Sequence, residues 1–200
     1  MFIKQDANLI VDVIKDFLPQ EIAQDPDIII AGGFALNAFL VNQILTGYKG
    51  LAFEILKNNL LKNSVINFSD IDLWITKNSE SPNAYLFESK ANENKEFLDL
   101  SSIKNIEKKS FAAGAFFLQK SSVWANTFEY KNNRSKTKPI QCIVKRQDSV
   151  ESLLSSFDLG ICSIAIYRGE FIIHQSAIDS LSASEIKYNN GKPFKRKTLP

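Results

Sequence analysis

The chain has 200 residues, 44% of them hydrophobic and fifteen of them Phe, which is enough to bury one substantial core and too little for several. Its 24 Lys and Arg against 22 Asp and Glu leave a net charge of +2, so no global polybasic surface is available for sequence-independent nucleic-acid binding. No apolar run reaches the roughly 20 residues of a membrane span, and acidic residues stand where a signal peptide would be basic and then apolar, so a cytoplasmic protein with no membrane contact is expected.

Residues 7–18 place Leu9, Ile10, Val13, Ile14 and Phe17 on one face, the spacing of an amphipathic helix. The β-branched run at 28–31 reads as a buried strand that stops at Gly32 and Gly33. From Phe34 to Leu61 apolar residues keep helical spacing, broken at TGYKG, which predicts two helices with a turn at 47–50. FSDIDLWIT at 68–76 alternates polar and apolar and reads as a strand. The polar stretch 77–97 is expected to be a loop or a mobile excursion able to serve as a lid.

SFAAGAFFLQK at 110–120 reads as a short helix or a turn. SVWANTFEYK and PIQCIVKR read as two strands joined by NNRSKTK, a hairpin by composition. SVESLLSSF has a serine ahead of an apolar-periodic run and predicts a short helix. DLGICSIAIY and EFIIHQ flank Arg168 and Gly169 as a second hairpin, followed by a helix and a basic tail at 191–200. Helices packed on a mixed sheet, an α+β fold in one domain over residues 1–190, follow from this order.

Three features carry chemistry. A strand that runs straight into a helix needs a short turn, for which one glycine suffices. A second glycine bares backbone N–H groups at the helix start, where unsatisfied donors and the helix dipole favour an anion such as phosphate. Gly32 and Gly33 are therefore either a close-packing device or a phosphate seat.

Asp70 and Asp72 stand two apart on a strand and so share a face. Like charges side by side need solvent or a cation, and Mg²⁺ takes one or two carboxylates together with phosphate oxygens and water. A solvent-facing pair near a strand edge is the other reading. Asp158 opens the apolar DLGICSIAIY, as a turn residue or as a third carboxylate. Together these residues sketch a two-metal phosphoryl-transfer site. Cys142 and Cys162 lack metal-pair spacing and read as buried reduced thiols, while His174 is the sole histidine, so zinc hydrolysis and His-based nucleophilic catalysis lack their residues.

In chain order, AGGFALNAF, FSDIDLWI and SFDLGICSIAIY, the last preceded by PIQCIV, resemble the nucleotidyltransferase superfamily with a polymerase-beta-type palm, most of all its uncharacterised viral and phage-type members, over residues 28–173. The resemblance implies that Gly32 and Gly33 hold a triphosphate, that Asp70 and Asp72 bind two Mg²⁺ (or Mn²⁺) ions, and that Asp158 holds the metal that activates the acceptor. The implied reaction moves a nucleoside monophosphate from a nucleoside triphosphate such as ATP to an RNA, protein or small-molecule acceptor. Two other readings use the same residues. One is a catalytically inactive nucleotide-binding or protein-interaction module on this fold. The other is a small RNA-binding protein in which loop and tail lysines act with Trp124, Phe128 and Tyr130 as stacking platforms.

Overall fold

The structure, a computed structural model, describes residues 1–14, 17–47, 50–51, 70–89, 97–99, 108–111, 114–132 and 139–183. The chain begins with β1 (Phe2–Asp6), α1 (Asn8–Ile14), α2 (Gln20–Ala23), β2 (Ile29–Ala31), α3 (Gly33–Thr46) and β3 (Ile71–Trp74), and a 3-10 turn follows at Ala84–Phe87. Next come β4 (Phe97–Asp99), β5 (Lys108–Phe111), β6 (Gly114–Ser122), β7 (Ala125–Asn132), β8 (Pro139–Ile143) and α4 (Val150–Ser155). A second 3-10 turn at Gly160–Cys162 leads into β9 (Ile164–Tyr167), β10 (Glu170–His174) and α5 (Gln175–Ala183). The architecture is α+β. The strands join in the order β1-β10-β9-β2-β3-β8-β7-β6-β4, with β5 also on β6. The sheet is mixed, because β3 and β8 run parallel while β2–β3, β2–β9, β7–β8 and β9–β10 are antiparallel.

The central strand β2 is buried along its whole length, which explains its unbroken apolar sequence. β3 instead alternates, with Ile71 and Leu73 buried and Asp72 and Trp74 half-buried. That alternation sorts the sheet into two faces. Ile71 and Leu73 join the larger core with Ile30, Ile140, Ile166 and Phe171, beneath α1, α3 and α5. Trp74 turns the other way into a smaller cluster with Ile29, Ala31, Ala165 and Ile172, covered by Val150, Leu153 and Leu154 of α4. Helix α4 starts as its sequence predicts: Ser149 and Ser152 close a reciprocal capping box, with N–H···O distances of 3.0 and 3.1 Å.

Several expectations change. The edge strand β1 was not anticipated. Residues 110–120, expected as a helix or turn, supply the end of β5 and most of β6, because each strand completes its hydrogen bonds on a neighbour rather than within itself. The stretch expected as a lid is anchored through residue 87. Asp25 accepts from Ser81 Oγ (2.6 Å) and Asn83 Nδ2 (2.9 Å), Asp27 accepts from the Glu80 amide (2.8 Å), and Leu86 and Phe87 are buried. The Glu80 amide, aided by Ser79 and Arg168, holds the Asp27 carboxyl below its ordinary value. Residues 90–96, the second helix expected after residue 51, the NNRSKTK connection beyond Asn132 and the basic tail lie outside the described residues. Among the described residues, no helix is long and apolar enough to cross a membrane.

Candidate functional site

The direct cross-strand partners of Asp72 are Ala31 on β2 and Gln141 on β8, and Gln141 in turn pairs with Thr127 on β7. Partners in register share a face. A row Ala31–Asp72–Gln141–Thr127 therefore crosses the second face of the sheet and turns from apolar to polar at Asp72. Asp70, one residue ahead of β3, joins it, because Gln141 Nε2 donates to Asp70 Oδ2. Asp72 lies on β3 as expected, whereas Asp70 lies just ahead of the strand and is tied to the row through Gln141.

Gly32 closes the other side. It caps α3 without a side chain, at φ +86° and ψ −148°, a backbone region open essentially to glycine alone. A Cβ built there would lie 3.3 Å from Asp72 Oδ2, so the absent side chain leaves room for that carboxylate. Gly32 keeps its tie to the sheet through its N–H on the Ile164 carbonyl (3.3 Å) and starts the helix by accepting from Leu36 N (3.0 Å). Gly33 is exposed, and nothing lies within 4 Å of where its Cβ would be. The glycines thus differ: the first makes room for Asp72, while the second faces open space at the first turn of a 14-residue helix.

Burial, followed by repulsion from Asp70, pushes the Asp72 carboxyl up to about 6. Burial also raises the Cys162 thiol, with Asp72 adding to the shift. Cys142, expected to be buried, is fully so in β8, whereas Cys162 is only partly covered and sits in a 3-10 turn rather than in a strand.

Asp158 does not stand where the sequence suggested. It is exposed and precedes the Gly160–Cys162 turn, and the strand it was expected to open begins only at Ile164. Nor is that strand the neighbour of β3: β9 pairs with β2, and the place beside β3 belongs to β8. Among the described residues, no three His, Cys, Asp or Glu side chains form a group able to hold a metal. The two-metal trio of Asp70, Asp72 and Asp158 is therefore not assembled. Gln141 was missed as a site residue. Its signal was a polar side chain inside PIQCI, between the buried Ile140 and Cys142.

The donor set still fits one hard cation. Two carboxylates with a carboxamide alongside suit Mg²⁺ or Mn²⁺ in company with phosphate oxygens, whereas a self-sufficient protein cage would need more ligands. Asp72 seated in the space left by Gly32 is a cradle that a Cβ would disturb.

A family model described as Gabija anti-defense 2 family protein (Gad2) matches residues 3–184, so the chain belongs to that family. No nucleotidyltransferase family matches, and the resemblance to that superfamily is corrected accordingly. The motifs behind it were short, and the third of them lies on a strand that does not adjoin the Asp pair. No curated protein and no solved structure matches the chain.

Proposed function

For this member of the Gabija anti-defense 2 family, we propose that opposition to the Gabija defence runs through a nucleotide site made by Asp70, Asp72 and the Gly32–Gly33 start of α3. The observation that carries the reading is the pair of like-charged carboxylates on one face, one of them seated against a glycine that has no side chain. Two like charges so close repel, and burial adds to the cost of ionising Asp72, so a divalent cation with a triphosphate would relieve both.

Asp70 and Asp72 would hold the cation, and the amides at the start of α3 would receive phosphate oxygens past the open Gly33 position. When bound, Mg²⁺ or Mn²⁺ supplies charge neutralisation at the phosphates. The reaction this supports is nucleotidyl transfer. An acceptor hydroxyl oxygen bonds to the α-phosphorus, the bond from that phosphorus to the bridging oxygen breaks, pyrophosphate leaves, and the hydroxyl proton passes to water. The acceptor classes are RNA, protein or a small molecule.

A second reading, capture of nucleotide without transfer, is favoured by one observation: among the described residues no third carboxylate joins the pair. The two readings share a binding test and part at the product. Nucleoside triphosphate should raise the melting temperature only with Mg²⁺ or Mn²⁺ present, by about 2.7 kcal/mol of stability at a hundredfold excess over Kd. It should also slow alkylation of the partly covered Cys162. Incubation with α-labelled triphosphates and cell fractions then separates transfer, which leaves a labelled acceptor, from capture, which leaves none. A wild-type melting curve indifferent to nucleotide and metal would overturn both.

A further inference from the structure

We infer that Gln141 is the positioning residue of this site: delivered by the strand that runs parallel beside Asp72, its amide holds the Asp70 carboxylate in place for a cation without cancelling the charge of the pair. The inference rests on the proposed cation and nucleotide site and names a residue that the acidic motif does not contain.

Register brings the side chain there. Ile140 and Cys142 point into the larger core, so Gln141 between them must point to the second face, directly beside Asp72. From that position it reaches diagonally to Asp70, two residues back along the neighbouring chain, and donates to Oδ2. A carboxamide is the side chain suited to the task. Lys or Arg at 141 would neutralise the pair and compete with the cation, and Glu or Asp would add a third like charge beside two carboxylates. An N–H donor instead fixes the orientation of the Asp70 carboxylate while leaving its other oxygen and Asp72 for the incoming ion. Partners that orient a metal's ligands in this way commonly govern affinity by about 10- to 100-fold.

The test compares Gln141→Met, which keeps length and volume but lacks the donor, with Gln141→Glu, which keeps length but replaces the donor with an acceptor. Thermal shift is followed at fixed ATP while Mg²⁺ is titrated, with Cys162 alkylation as a second readout. Gln141→Met should raise the half-effective Mg²⁺ concentration at least about 10-fold while its metal-free melting temperature stays close to wild type. Gln141→Glu should melt lower than wild type in EDTA at pH 8 and recover with Mg²⁺, because the added carboxylate repels the pair until a cation arrives. A lowered melting temperature in Gln141→Met with an unchanged Mg²⁺ midpoint would overturn the inference and leave Gln141 a structural partner of Asp70. An unchanged EDTA melting temperature in Gln141→Glu would also overturn it, since the side chain would then not face the pair. A wild type that ignores ATP and Mg²⁺ would remove the parent reading as well, which distinguishes the two failures.

Discussion

On one face of the sheet Ile71 and Leu73 disappear beneath α1, α3 and α5, while one residue away along the same strand Asp72 and Trp74 meet a carboxylate, an amide and one six-residue helix, α4. The first face is a continuous apolar interior that draws on α1, α2, α3, α5 and strands β2, β3 and β6 to β10. The second is apolar over β9, β10, β2 and the Trp74 end of β3, where α4 lies, and becomes polar at Asp72 and Gln141. Stability and chemistry are thus assigned to opposite sides of the same strands. Substitutions on the first face should cost fold stability and leave the metal and nucleotide responses alone. Those at the carboxylate pair on the second should change those responses.

The largest effect belongs to the first face. Phe171 is fully buried and packs edge-on against Phe39 at 5.5 Å between ring centroids. Phe171→Ala should cost about 3–5 kcal/mol in urea denaturation, the transfer and cavity cost of losing a buried ring. The variant that remains folded should keep the wild-type Mg²⁺ midpoint for ATP. A shifted midpoint would mean that the two faces are coupled.

Asp72→Asn should move the other way. The folded protein holds the Asp72 carboxyl at about 6 against an ordinary 3.8, so the fold favours the protonated form. The sign follows. Below about pH 4 the side chain is protonated in both states and wild type and variant should match. As pH rises through 6, wild type loses stability that the neutral Asn keeps, an advantage of roughly 3 kcal/mol to the variant by pH 8. Melting temperatures across pH 4–8 check this, and the variant should lose its response to Mg²⁺ with ATP. A variant less stable than wild type at pH 8 would make Asp72 a structural residue.

What the sequence disclosed divides along the same line. Period-two alternation in IDLW, the capping serine of α4 and the Arg168–Gly169 hairpin were legible, because each depends on residues close in sequence. What failed depended on which strand lies beside which. Asp158 was assigned to a strand next to the pair, but the neighbour of β3 comes from PIQCI, and alternation within a strand carries no information about sheet order. β1 escaped because FIKQD is a short, half-exposed edge strand whose strand partner among the described residues is β10. The β5–β6 region escaped because its Ala and Gly residues carry little strand preference of their own.

The two glycines sharpen the comparison, since they are adjacent yet predicted to respond oppositely. Gly32→Ala puts a Cβ 3.3 Å from Asp72 Oδ2 on a backbone at φ +86°, so it should cost about 1–3 kcal/mol and disturb the aspartate with it. Urea denaturation of the metal-free protein reads the loss, and a variant as stable as wild type would show that Gly32 does not confine Asp72.

Gly33→Ala should have the smallest effect on stability and the more telling one on function. Its backbone is helical and a Cβ there meets nothing, so alanine restricts the unfolded chain without straining the folded one and should stabilise by about 0.4–1 kcal/mol. If phosphate oxygens approach the amides at the start of α3, that same methyl group stands in their path, and the ATP concentration for half-maximal thermal shift at saturating Mg²⁺ should rise. A more stable protein that binds nucleotide less well is the outcome a phosphate seat requires. A more stable protein with unchanged ATP affinity would take the helix start out of the site and leave only the cation position at Asp70 and Asp72.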